Sequence, residues 1–172
     1  MTFKPLPRHQ VTQPLDTDYR FIPLTQNQVA IVDAIDYEWL SQWHWTAAFS
    51  KNTMTFYARC NKGRTKVYMH RLILGCKSGQ QGDHRDHDTL NNRRTNLRIC
   101  THSDNMKNAR MQRNNTSGFK GVERSGNKWE ARICANRTRI YLGSFVTPQE
   151  AALAYNEAAK KYHGEFAVLN HP

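Results

Sequence analysis

The chain has 172 residues, with 25 Lys and Arg against 14 Asp and Glu, a formal charge of +11 and a sequence pI near 9.8. That length holds one ordinary domain or two small ones, and the charge favours a polyanionic partner, because each phosphate neutralised releases condensed counterions. No apolar run approaches the roughly 18 residues of a membrane-spanning helix and no apolar signal segment opens the chain, so an intracellular protein with no membrane role is expected.

The elements follow in chain order. Residues 1–18, with Pro5, Pro7 and Pro14 and few apolar side chains, read as an extended arm. Phe21–Leu24 and Val29–Val32, apolar runs around the polar Thr25–Gln28, predict a hairpin. Asp36 is placed to cap a short helix through Leu40. Thr55–Arg59 and Lys66–Leu74 read as strands joined by Asn61–Arg64, and Trp39, Trp43, Trp45, Phe56 and Tyr57 read as the core of a small domain. Cys60, Cys76, Cys100 and Cys134 are scattered with no Cys-x-x-Cys pair, which predicts reduced thiols, no disulfide framework and no structural zinc.

The most informative stretch is Gly82–Asn92, which contains Asp83-His84 and is followed by Asn96, twelve residues after the His, and by Asn105, nine residues further. A hard cation such as magnesium takes oxygen ligands and often only one or two from protein. The Asp83 carboxylate and the Asn105 amide oxygen supply such a set. His84, with an ordinary pKa near 6.5, is able to accept a proton from water at neutral pH. This chemistry is that of phosphodiester hydrolysis with one divalent ion, Mg2+ or Mn2+. Adjacent strand residues point to opposite faces, so Asp83 and His84 need a twist or bend to serve one site, which Gly79 and Gly82 permit. A strand pair followed by a helix capped by Ser103 would gather the three groups.

These residues resemble the HNH nucleases, whose catalytic unit is a ββα-metal finger. Asp83-His84, Asn96 and Asn105 stand where phage-type HNH homing endonucleases place their paired first motif, middle Asn and final ligand. The Leu90-Asn91-Asn92…Asn96-Leu97-Arg98 pattern and Met69-His70-Arg71-Leu72 also match phrases of that family. The resemblance implies that Asp83 and Asn105 bind the ion, His84 is the general base, Asn96 pins the loop of the finger, and Arg71 contacts DNA. His70, His87 and His102 are left outside the catalytic set. The chain departs from the family where Asp86-His87 replaces a turn ending in Gly, and a wider turn is expected there.

Residues 107–115, inside a stretch with three basic groups and three Asn before Ser117, read as a basic linker. Phe119–Val122, Trp129–Cys134 and Arg139–Phe145 then predict three short strands. Thr147-Pro148-Gln149-Glu150 predicts a capped helix running to Gly164. Trp129, Ala131 and Ile133 share one strand face and Glu130, Arg132 and Cys134 the other. Ser117–Val122, Lys128–Ile133, Tyr141–Phe145, Glu150–Tyr155 and Ala167–Asn170 resemble the Apetala-two/ethylene-response-factor DNA-binding domain, in which a three-stranded sheet on one helix lies in the DNA major groove. The residues expected on DNA are Lys120, Arg124, Arg132, Arg137 and Arg139, read as one polar sheet face, together with Tyr141. Glu123 and Cys134 fall where plant members usually carry Arg, Arg132 where they carry Glu, and Tyr141 where Trp is common, so the plant target sequence is not transferred.

The sequence therefore predicts an α+β protein. An HNH nuclease domain over 19–106 contains a ββα-metal finger and is joined by the linker to a DNA-binding domain over 116–172, a three-stranded antiparallel sheet packed on one helix. The expected partner is double-stranded DNA, met by a monomer or a dimer assembled on it. The rival reading is a non-catalytic DNA-binding regulator on an inactive HNH scaffold.

Overall fold

The computed structural model describes residues 10–15, 17–112 and 114–172. Most of the arm predicted over 1–18, and residue 113 of the linker, lie outside the described residues. The chain divides into two compact units, Met1–Thr101 and His102–Pro172, and both are α+β.

In the first unit, β1 (Tyr19–Pro23) and β2 (Val29–Asp33) pair antiparallel from Tyr19↔Asp33 to Pro23↔Val29. Their alternation buries Ile22, Ala30 and Val32, as the hairpin pattern requires. Helix α1 (Ala34–Ser41) starts from Asp33 at the N-cap, three residues before the expected Asp36. Asp36 is 2% exposed and is drawn into the interior instead, accepting two hydrogen bonds from Arg94 and one from the Trp39 indole.

The next sheet has the order β3 (Thr46–Ser50), β4 (Thr55–Lys62), β5 (Thr65–Tyr68), all antiparallel. The strand expected over Lys66–Leu74 ends early, because pairing with β4 stops at Arg59↔Tyr68. Residues Met69–Ile73 form helix α2. Met69 and Ile73, one turn apart, both enter the core, a spacing that a helix satisfies and a half-buried strand does not. A last hairpin pairs β6 (Gln81–His84) with β7 (Leu97–Cys100). The core is built from Ile22, Leu24, Val32, Leu40, Met69 and Leu97 around Trp45, whose indole N–H donates to the Leu40 carbonyl at 2.8 Å.

The second unit opens with α3 (His102–Lys107), which begins one residue before the expected Ser103 cap. Strands β8 (Val122–Ser125), β9 (Lys128–Ala135) and β10 (Thr138–Phe145) form an antiparallel sheet in the order β10-β9-β8. Residues Phe119–Gly121, expected in the first of these strands, form the turn before it. Helix α4 (Pro148–His163) carries the predicted capping box, with the Thr147 side chain accepting from the Glu150 N–H and Glu150 returning a bond to the Thr147 N–H. Ala151, Ala152, Ala158 and Ala159 bring α4 close against Val122, Ala131 and Ile133.

That close approach depends on Gly121, which has φ +74 and whose Cβ, if present, would lie 2.2 Å from Tyr155 Cδ2 and 2.6 Å from the Arg132 carbonyl. Gly121→Ala is expected to destabilise the second unit by about 2–4 kcal/mol, through strain and overpacking together. A urea midpoint equal to that of the unaltered chain would contradict this packing.

Candidate active site and nucleic-acid interface

The β6–β7 register sets the first part of the site by placing Asp83 opposite Arg98 and His84 opposite Leu97. Arg98 donates from Nε and Nη2 to Asp83 Oδ2, each at 2.8 Å, and both side chains are buried. Two charges out of water require this geometry, since desolvation otherwise exceeds their attraction. The next residue, His84, is 4% exposed. Burial lowers its pKa, opposed by the hydrogen bond to Asn92 and by the charges of Asp83, Asp86 and Asp88. At neutral pH its imidazole is therefore uncharged and able to take a proton.

The tautomer follows from the hydrogen bonds. The Asn92 amide nitrogen donates to the Leu90 carbonyl at 3.0 Å, so its oxygen is the atom 3.4 Å from His84 Nε2. An amide oxygen only accepts. The ring hydrogen is thus assigned to Nε2 and the lone pair to Nδ1.

Asn96 ties both ends of the loop between β6 and β7. Its side-chain oxygen accepts from the Asp86 N–H at 3.0 Å, its side-chain nitrogen donates to the Asn91 carbonyl at 2.8 Å, and its carbonyl accepts from the Arg85 N–H at 2.9 Å. His87 takes φ 64 in this loop, and its N–H closes the turn on the His84 carbonyl at 3.2 Å.

Residues 19–68 hold that loop. Ile31 donates to Leu90 and accepts from Asn92, at 2.9 and 2.7 Å. The Asp33 carboxylate accepts from Arg93 Nε and from the Arg94 N–H, both at 2.8 Å, while Asp18 also pairs with Arg93. Thr89 reaches the Phe56 carbonyl on β4 at 2.6 Å. Asp33 and Asp18 thus act as clamps on the loop.

The sequence places His70 outside the catalytic set, yet α2 carries its ring to 4.8 Å from the His84 ring in an edge-to-face contact. The Met69-His70-Arg71-Leu72 phrase was the available signal. Burial, then the charges of His84 and Arg71, lower the His70 pKa to about 3. Arg71 itself is half-buried on the same helix. Asn105 lies on α3 in the second unit, half-buried.

Among the described residues no group of three or more His, Cys, Asp and Glu side chains is arranged to hold a metal. A soft ion with a closed ligand set is therefore poorly served, whereas the oriented carboxylate of Asp83 suits a hard divalent ion that takes few protein ligands and keeps most of its water. Arg98 shares that carboxylate.

In the second unit the predicted DNA residues do not form one face. Register aligns Arg139 with Cys134 and Tyr141 with Arg132, so Glu123, Glu130, Arg132, Arg139 and Tyr141 share the face away from α4. There Glu123 accepts from Arg132 at 3.0 Å and from Arg139 at 3.1 Å, Glu130 pairs with Arg132, and the Arg132 guanidinium lies 5.9 Å from the Tyr141 ring. Two acids and two arginines cancel locally. Arg124 stands instead in register with Trp129, 5.9 Å from its ring, and Arg137 is exposed in the β9–β10 turn at φ 64. Lys120 is half-buried, its ammonium donating to the carbonyls of Lys107 at 2.8 Å and Ala109 at 2.6 Å, and burial lowers its pKa to about 8. This lysine docks the segment predicted as a linker onto the second unit.

Two outcomes follow. Arg98→Leu strands a buried carboxylate and is expected to cost about 3–5 kcal/mol in chemical denaturation. A loss below about 1 kcal/mol would show that the pair is not buried as described. The neutral His70 has its pKa depressed on folding, so its contribution is complete above the unfolded value near 6.5 and is lost as pH falls toward the folded value of about 3. Stability is expected to drop between about pH 6.5 and pH 4, His84 adding in the same direction, and His70→Gln to flatten that slope in melts recorded across the window.

No family model matches the chain. It is 36% identical over 112 residues to a protein described as uncharacterized HNH endonuclease L560 of Acanthamoeba polyphaga mimivirus, covering 61% of this chain and 58% of the viral one. It is 51% identical over 57 residues to dehydration-responsive element-binding protein 2E of Oryza sativa subsp. japonica, covering 31% of this chain and 18% of that one. Dehydration-responsive element-binding protein 2A of Arabidopsis thaliana is 50% identical over 62 residues, with 34% and 18% covered. The chain thus spans under two thirds of the viral relative and about a fifth of the plant ones. Its two halves of similarity, to an HNH endonuclease and to AP2/ERF-type proteins, are consistent with an HNH plus AP2/ERF architecture.

Proposed function

We propose that the chain is a metal-dependent, site-specific endonuclease of the HNH homing type that hydrolyses phosphodiester bonds of double-stranded DNA and reads DNA with a second module. The observation that carries this reading is His84, a buried, uncharged imidazole beside the Arg98-oriented carboxylate of Asp83, in a loop pinned by Asn96. The similarity to a protein named as an HNH endonuclease supports it. In this reading β6, β7 and α3 form the ββα-metal finger, and Asp83 and Asn105 hold a divalent ion, Mg2+ or Mn2+.

When bound, that ion supplies positive charge for the developing oxyanion and the leaving oxygen. The rest is chemistry of this chain. His84 Nδ1 takes the proton of the attacking water while its Nε2–H stays on Asn92. Asn96 fixes the loop through its hydrogen bonds and so fixes where the imidazole stands. Arg98 keeps the Asp83 carboxylate oriented before DNA arrives. The second unit supplies Arg124, Arg137 and, once released from Glu123 and Glu130, Arg132 and Arg139 for phosphates and base edges. Exposed pairs of that kind contribute about 0–1 kcal/mol, so phosphate competes with them readily.

One observation favours the alternative of a DNA-binding regulator on an inactive scaffold, since the charge of Asp83 is already balanced by Arg98. His84→Ala separates the two. The proposal expects plasmid nicking in magnesium to fall by about 100-fold or more with DNA affinity unchanged. Equal cutting by wild type and variant would show that His84 is not the base, and no cutting by wild type would favour the regulator.

A further inference from the structure

The site contains a second imidazole that the proposed reaction does not use. His70 is 6% exposed, and nothing in the proton transfer from water requires it. Yet the chain is shaped around it. Its ring stands edge to face on His84 at 4.8 Å, with ring planes at 64°. Tyr57 packs against both rings, at 5.9 Å from His70 and 6.1 Å from His84, and Tyr68 lies 5.9 Å from His70. The strand that carries His84 makes room for the same ring, because a Cβ on Gly82 would fall 2.6 Å from His70 Cδ2 and 3.2 Å from Leu74 Cδ1. Gly82 does not have a positive φ, so close approach rather than backbone freedom is what the glycine serves here. Asn92 holds the imidazole of His84 at Nε2 through a bond of 3.4 Å, long for a hydrogen bond, so the packed rings also bear on its tilt.

We propose that His70 is a positioning residue for the nuclease reaction, its flat ring fixing the tilt of the His84 imidazole through the edge-to-face contact that Gly82 permits. This rests on the nuclease reading above and deepens it. A flat aromatic edge against a ring face confines rotation about the outer side-chain bond of His84. An aliphatic side chain of similar volume fills the space without setting that angle.

The test uses the full chain, supercoiled plasmid and magnesium chloride, at temperatures well below the melting transition of each variant. His70→Leu is expected to lower the cleavage rate at saturating DNA by about 10- to 100-fold, the scale of a misplaced reacting group, with the half-saturating DNA concentration unchanged. His70→Phe, which keeps a flat ring, is expected to recover at least about tenfold of that loss. Gly82→Ala, which leaves His70 in the chain but pushes its ring, is expected to behave like His70→Leu. The 1H–15N imidazole signals of His84 are expected to move in His70→Leu and to return in His70→Phe. Wild-type cutting by His70→Leu overturns the proposal, and so does a loss in His70→Phe as deep as in His70→Leu, because the ring contact would then not be the cause. If the unaltered chain does not cut, the nuclease reading fails by itself. The spectra then decide the contact, and unmoved His84 signals in His70→Leu overturn it.

Discussion

The pairing of β6 with β7 is the constraint on which the site depends. One register fixes three things at once. It sets Arg98 against Asp83, it turns His84 into the interior beside Leu97, and it brings the ends of the intervening loop within reach of Asn96. A slip of one residue would take Asp83 and Arg98 out of register with each other. The buried ion pair penalises that slip, because either charge left alone in the interior is costly. The pair therefore specifies the hairpin whatever its net contribution to stability.

Around this hairpin the remainder of the first unit acts as a holder. Its first hairpin, α1 and β4 grip the loop through Ile31, Asp33, Asp36 and Phe56, and α2 delivers His70 to the back of His84. The polar loop alone would be free to move, since such segments carry few packed apolar contacts. Grip from three separate elements explains how a site made of turn residues keeps one geometry. The second unit works by a different balance. Its outer sheet face sets Glu123 and Glu130 among Arg132 and Arg139, so the basic character of the chain is not concentrated where the polar residues are most regular. Charge for a polyanion is available there only by exchange of partners.

Much of this was legible in the sequence where the cause is local. The Thr147–Glu150 capping box and the Phe21–Val32 hairpin are short-range patterns, and they form as read. The errors lie where tertiary structure overrules a local preference. Lys66–Leu74 has the texture of a strand, yet its pairing with β4 stops at Arg59↔Tyr68 and the apolar spacing of Met69 and Ile73 then favours a helical turn. Thr46–Ser50, with two alanines at its centre, has too little pattern to announce a strand, and only its neighbour β4 makes it one. Asp36 has a capping residue's chemistry, but Arg94, far away in the chain, draws it inside.

The same distinction holds for the site. Asp83, His84 and Asn96 stand out by spacing, whereas Arg98 and His70 do not, because their importance comes from a strand register and from a missing Cβ on Gly82. Lys120 shows the reverse case, a residue that reads as a phosphate contact and is engaged by backbone carbonyls. Basic residues are interchangeable in a sequence pattern, and burial alone tells them apart.

The central claim, that the neutral imidazole of His84 and the neighbouring Asp83 carboxylate serve the hydrolysis of DNA with a divalent ion, is tested most directly by incubating the unaltered chain with supercoiled plasmid in magnesium chloride and, in parallel, in excess chelator. The account predicts conversion to nicked or linear product in magnesium and none in chelator. Plasmid that stays supercoiled in both, while still bound by the protein, would contradict it.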